Sequence, residues 1–244
     1  MVTNQHSSSR TRGLFVSVDG PGGAGKTTIV QHLAQLLLTQ GEHVHVTAEP
    51  SDGPIGKLAY ELTPTVTGHA LACLYAADRY HHVETEIAPY LKNGHIVISD
   101  RYIASGLVIQ RFDGVDPAFL WQLNEEAKRP DLAVILGADP DLIADRLGER
   151  GPHNRFQLTP SSSHGEVEYY RQAAETLIDA GFDVLQVDCG NRPSEESAAL
   201  IRNRLSSVPF QAVATDQVRA VSRGAIPPSR GPRHSPPDGS PVGS

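Results

Sequence analysis

The sequence predicts an α/β protein, a five-stranded parallel sheet with helices on both faces, and two observations predict it. Five short apolar runs alternate with segments of helical period between about Gly13 and Ser206, and strands separated by helices in this way pair in parallel. The first such unit contains Gly20-Pro21-Gly22-Gly23-Ala24-Gly25-Lys26-Thr27, a match to G-x-x-x-x-G-K-[ST]. It lies between a strand pattern and a helix pattern, the context that a phosphate-binding loop requires.

Leu14 to Val18 reads as the first buried strand, and Ile29, Val30, Leu33, Leu36, Leu37 and Leu38 give an apolar face to a helix over Lys26 to Thr39. The other strands are expected at His43 to Thr47, His95 to Ser99, Leu132 to Leu136 and Asp183 to Val187. Further helices are expected over Pro54 to Leu62, Gly68 to Lys92, Arg101 to Gln110, Pro117 to Ala127, Asp139 to Leu147, Gly165 to Ala180 and Pro193 to Leu205.

This places one α/β domain over residues 13–208 of the 244. Residues 1–12 read as a disordered N-terminus, and 209–244, rich in Pro, Gly, Ser and Arg, as a disordered tail that cannot bury enough apolar surface to order itself. With 39% hydrophobic and 20% charged residues the chain is globular in composition, and a net charge of -7 argues against a nucleic-acid surface. Cys73 and Cys189 suggest neither a disulfide framework nor a zinc site, which fits a reducing, cytoplasmic setting. Met1 to Arg12 lacks an apolar core, and no run of 18 apolar residues occurs, so export and membrane insertion are not expected.

In the loop, glycines let the backbone fold around phosphate oxygens at a helix N-terminus whose dipole favours anions. Residues Gly20 to Thr28 are therefore the expected phosphate-binding segment, with Lys26 a point charge on the β- and γ-phosphates and the Thr27 hydroxyl a ligand of Mg²⁺. GTPases, partitioning ATPases and small-molecule kinases share such loops, so the reaction must be read elsewhere. Asp100-Arg101-Tyr102 follows a strand, which puts an acid and a guanidinium at the carboxyl edge of the sheet. An acid there can hold Mg²⁺ and an arginine can grip a phosphate bidentately; a helix-capping Asp and a solvated Arg would read the same way. Tyr75 and Arg79 are four apart and share a helix face, suiting a planar base joined to a phosphate, although Tyr75 also fits a core position. Arg146, Arg150 and Arg155 bracket Gly151-Pro152-His153-Asn154, which reads as a basic lid over transferring phosphates or as a solvated basic loop.

Taken together, Asp19-Gly20 with Gly23 to Thr28, Glu49-Pro50, Tyr75 to Arg79, Asp100-Arg101-Tyr102 with Ser105, Leu123-Asn124 before Pro130-Asp131-Leu132, and the arginine lid resemble the thymidylate kinases over Leu14 to Leu205. The resemblance implies a P-loop kinase with strand order 2-3-1-4-5, a homodimer that transfers the γ-phosphoryl of ATP to dTMP with Mg²⁺. Tyr75 would stack on thymine, Arg79 would reach its edge, Arg101 would hold the monophosphate, and Glu49 and Ser105 would lie at the acceptor. Asp100 and Thr27 would serve the metal, and Lys26, Asp100, Arg101, Arg150 and Arg155 would be the catalytic set. The chain departs from the family pattern at Gly22, where the family has an acid, at Ala48 in place of Arg, at Ile109 in place of Tyr, and at Asn154-Arg155-Phe156-Gln157 in place of Asp-Arg-x-Glu. Another nucleotide or nucleoside phosphate therefore remains open as acceptor. A partitioning-type ATPase switch is the alternative, but Pro21 stands where that class has its additional lysine. No Asn-Lys-x-Asp guanine motif follows any strand pattern.

Overall fold

The computed structural model describes the backbone of residues 13–150 and 160–207, and the side chains of 13–149 and 163–207. The expected N-terminal segment, the tail 209–244, and lid residues Gly151 to Arg155 lie outside the described residues, as does the Arg150 side chain, whereas Arg146 is described and donates from Nη2 to the Gly190 carbonyl at 2.8 Å.

Strands β1 (Leu14–Asp19), β2 (Val44–Ala48), β3 (Ile96–Asp100), β4 (Leu132–Gly137) and β5 (Val184–Asp188) form one parallel sheet in the order β2-β3-β1-β4-β5. In the register, Val16 faces Ile98 on one side and Leu132 on the other, and Val18 faces Asp100 and Val134. The period-2 alternation of the strands then sorts their side chains into two cores. Val16, Val18, Ile96, Ile98, Leu132 and Val134 pack against Ile29, Leu33 and Leu37 of α1 (Lys26–Thr39) and Ile201 of α9 (Ser194–Ser206). Phe15, Val97, Ala133 and Ile135 pack on the opposite face with Ala72 of α3 (Gly68–His82), Leu107 of α5 (Ile103–Val108), Leu120 of α6 (Pro117–Asn124) and Tyr170 of α8 (Pro160–Asp179). Burial on both faces is why these strands read as continuous apolar runs. The remaining helices are α2 (Pro54–Leu62), α4 (Ala88–Lys92) and α7 (Pro140–Arg150).

Several boundaries differ from expectation, and three of the differences have an assignable local setting. The long helix over Gly68 to Lys92 is α3, a π turn at Val83–Ile87 and α4 in succession. Pro89 has no N–H for the Thr85 carbonyl and its ring crowds that group, so the helix widens just before it. The helix expected from Arg101 starts instead at Ile103, because Arg101 adopts a left-handed φ of 76°. Finally, α8 starts at Pro160 rather than Gly165. Tertiary burial of Ser163 and Glu166 accompanies a serine-rich first turn that propensity alone would not favour.

Candidate active site

The loop leaves β1 at Gly20, whose φ of 152° disfavours a side chain and where a Cβ would come within 2.7 Å of the Leu136 carbonyl oxygen. It enters α1 through Gly25 at φ 83°. Lys26, the first helical residue, is buried, and its Nζ donates to the carbonyls of Gly20 and Pro21 at 2.9 and 2.8 Å. Burial, with the charge of Arg101 beside it, lowers the Lys26 ammonium to about 7. The Thr27 hydroxyl donates to Asp100 Oδ2 at 2.7 Å, so the end of β3 and the start of α1 meet. The Asp100 carboxylate therefore faces the loop rather than capping a helix.

Asp19, fully buried at the end of β1, fixes the turn that follows β3. Its Oδ1 accepts from Tyr102 N at 2.8 Å, Ser105 N at 2.9 Å and Ser105 Oγ at 2.7 Å. Arg101 lies inside that turn, and its N–H donates to Val18 O at 2.9 Å. A left-handed arginine costs of order 1–3 kcal/mol, and such strain persists where the surroundings over-determine it. Its guanidinium is placed by neutral partners, Nη1 donating to Tyr170 Oη at 3.1 Å and Ser105 Oγ at 3.3 Å.

Across the cavity, Arg79 is buried in a different company. Nε donates to Glu49 Oε2 at 2.9 Å, Nη2 donates to Tyr102 O at 3.0 Å and lies 2.7 Å from Glu49 Oε2, and Nη1 donates to Asn124 Oδ1. Glu49 Oε1 also lies 3.4 Å from His82 Nδ1, and His82 Nε2 pairs with Thr47 Oγ1 at 2.8 Å. Tyr75 lies one turn before Arg79 with its hydroxyl paired to Thr63 Oγ1 at 2.9 Å, and burial pushes that hydroxyl above its ordinary range.

These groups surround one cavity of about 480 Å³. Gly22, Gly23, Gly25, Lys26, Thr27 and Thr28 line one end, with Asp100 and Arg101 beside them, and Glu49, Tyr75, Arg79, Ser105 and Ile109 line the rest. Of the loop residues, Gly20, Pro21 and Ala24 stay behind the lining; the first two supply the carbonyls that hold Lys26. Gln110, which also lines the cavity and is 2% exposed, was not among the expected site residues. Neither were Glu166 and Tyr170, which reach the site from α8. A signal for them exists: an acid and an aromatic four apart share a helix face, as Tyr75 and Arg79 do.

Among the described residues no cluster of three or more His, Cys, Asp or Glu side chains has metal-holding geometry. Thr27 and Asp100 nevertheless fit Mg²⁺, which takes few protein oxygens and completes its shell from phosphates and water. No helix among the described residues is long and apolar enough to cross a membrane.

A family model described as thymidylate kinase matches residues 18–187 of this sequence. A probable thymidylate kinase of Pyrobaculum aerophilum is 36% identical over 187 residues, covering 75% of this chain and 92% of that protein. Its counterpart in Pyrobaculum calidifontis is 34% identical, with 80% of this chain and 99% of that protein aligned. A probable thymidylate kinase of Thermococcus gammatolerans is 42% identical over 67% of this chain and 84% of its own length.

Proposed function

The chain belongs to the thymidylate kinase family, and from that premise we propose that it transfers the γ-phosphoryl group of ATP to dTMP, giving dTDP, at the cavity between the loop and Arg79. One observation carries the reading. Lys26 and Arg101 have no carboxylate within ion-pair distance among the described residues, and they flank the Thr27–Asp100 pair at a glycine loop. Two buried or half-buried cations that make no direct ion pair and feel carboxylates only at longer range suit a site whose ligands bring further negative charge.

Lys26 and the loop amides hold the donor phosphates, and Arg101 holds the acceptor phosphate, fixed by Ser105 and Tyr170. An acceptor phosphate is largely a dianion at neutral pH, so its oxygen attacks without a base, and Asp100 is free to serve the metal. Mg²⁺, held by Thr27 and Asp100, would neutralise charge on the transferring group. Tyr75 stacks on the pyrimidine, its ring fixed by the Thr63 contact. Arg79 keeps a donor for a base carbonyl: four of its five N–H groups face Glu49, Asn124 and Tyr102 O. The fifth is on Nη1, and Gly106, where a Cβ would come within 2.8 Å of that nitrogen, leaves it reachable from the cavity. By the family resemblance, Arg150 and Arg155 would be the lid arginines that act on the transferring group. The same grounds support a homodimer in a reducing cytoplasm, the former checked by sedimentation.

A coupled ADP-release assay across dTMP, dUMP, UMP, dCMP and dGMP tests this. ADP release should rise most with dTMP. Ile109, lining the cavity where the family has Tyr, should also weaken discrimination between dUMP and UMP. If no pyrimidine monophosphate stimulates ADP release, the assignment of the acceptor fails.

A further inference from the structure

One buried carboxylate at the site has no part in the transfer so far described. Glu166, on α8, is 3% exposed, and its Oε1 accepts the Gly22 N–H at 3.1 Å across 144 positions of sequence. Gly22 is the third residue of the phosphate loop, and it lines the cavity. Burying an ionised carboxylate behind a single neutral amide is costly unless opposite charge stands close by. Here that charge is Lys26 and Arg101. Burial opposes the charge on both; Asp100, Glu166 and Asp19 support it on Lys26, and Tyr170, Glu166, Asp100 and Asp19 support it on Arg101. Tyr170, one turn after Glu166, accepts from Arg101 Nη1 alongside Ser105. Glu166 and Tyr170 thus present one helix face to both halves of the phosphate site, the loop through Gly22 and the acceptor arginine through Tyr170.

We propose that Glu166 is a positioning residue with two separable effects: its hydrogen bond holds the loop at Gly22 in the shape that receives phosphates, and its negative charge, opposing the anionic ligand, limits how tightly the site retains nucleotide. The two effects act on affinity in opposite directions. Holding the loop strengthens binding by preorganising it, whereas a buried anion beside the phosphates weakens it.

The inference rests on the assignment of the loop as the ATP site, and two substitutions in the full chain separate its parts. Glu166→Gln keeps an oxygen for the Gly22 N–H and removes the charge. Measured below pH 7, so that loss of the supporting Glu166 field does not simply deprotonate Lys26, its KM for ATP and its calorimetric Kd for ADP should both fall, by about threefold, the size expected for one charge in a partly solvated site. Glu166→Ala removes both effects, and its KM should rise above that of the unmodified chain, because an unheld loop must be ordered by the ligand. Damage to packing alone raises KM and lowers Tm, so tighter binding by Glu166→Gln is a sign that a merely structural role does not give. A KM for Glu166→Gln that is unchanged or raised overturns the proposal, as does a shift of both variants in the same direction. Should Glu166→Ala fail to fold, the sign of the Glu166→Gln shift decides alone. Failure of the unmodified chain to bind ATP would instead overturn the assignment of the loop, so the two failures are distinguishable.

Discussion

Arg79 and Arg101 line the same cavity, yet the protein treats them in opposite ways. Arg79 is 2% exposed and answered by the Glu49 carboxylate, the Asn124 amide and the Tyr102 carbonyl. Arg101 is half-buried on a left-handed backbone, and among the described residues its guanidinium hydrogen-bonds only the hydroxyls of Ser105 and Tyr170. The first arrangement is fixed before any ligand arrives, since a buried ion pair with four of the five arginine N–H groups engaged has a set geometry. The second holds a cation in place without neutralising it. One end of the cavity is therefore built to recognise shape, and the other to receive charge.

The comparison breaks if the two arginines respond alike to truncation. Arg79→Ala leaves Glu49 buried with His82 as its remaining polar partner, and loss of one member of a buried pair costs about 3–5 kcal/mol. Its Tm should fall steeply, in a thermal melt read by circular dichroism. Arg101→Ala breaks no direct ion pair and leaves Lys26 beside Glu166, so its stability should fall far less than that of Arg79→Ala. Its loss should appear in kcat/KM for the acceptor, with ATP affinity kept within a few-fold. Equal Tm losses in the two variants would erase the distinction.

Lys26 belongs with Arg101, as a cation held by carbonyls and answered by the ligand. Lys26→Ala should cost phosphoryl transfer about 10²–10³-fold while the fold survives, because a preorganised charge at the transferring group supplies much of the rate. A single-turnover assay at saturating ATP reads this directly, and turnover within tenfold of the unmodified chain would remove Lys26 from the mechanism.

The shape-recognising and charge-receiving ends were not equally legible in the sequence. The loop, Asp100-Arg101 and Tyr75 with Arg79 each sit in a short segment whose local spacing already implies a shared edge or face. Strands β1, β3 and β4 were legible because burial on both faces leaves continuous apolar runs, the more exposed edge strands β2 and β5 because they alternate with helical segments, and the sheet order through the family resemblance. What fixes these groups was not. Glu49 and Arg79 are 30 positions apart, Arg79 and Asn124 45, Tyr170 and Arg101 69, and Glu166 and Gly22 144. Such partners are brought together by the topology, and no local pattern marks them. The left-handed φ of Arg101 is likewise set from outside its segment, by the Asp19 carboxylate that pins Tyr102 and Ser105. A helical pattern through residue 101 therefore misplaces the first turn by two residues.

The smallest expected effect is the one that tests whether the charge-receiving end is charged at rest. Burial, followed by the repulsion of Arg101, lowers Lys26 to about 7, against the supporting fields of Asp100, Glu166 and Asp19. Below that pH the free protein carries the ammonium; above it, the neutral amine predominates. Nucleotide phosphates favour the ammonium, so binding raises the Lys26 pKa and must take up a proton wherever the free side chain was neutral. The sign follows: affinity for ADP is full below about pH 7 and declines as pH rises through that value, by at most about tenfold per unit. Calorimetry of ADP binding in two buffers of different ionisation enthalpy measures the proton directly. Uptake should approach about one proton per nucleotide at pH 8 and be small at pH 6, after correction for the titration of ADP itself. If uptake at pH 8 is negligible, Lys26 already carries its charge in the free protein, and the end of the cavity that receives phosphates is as settled before binding as the end that holds Arg79.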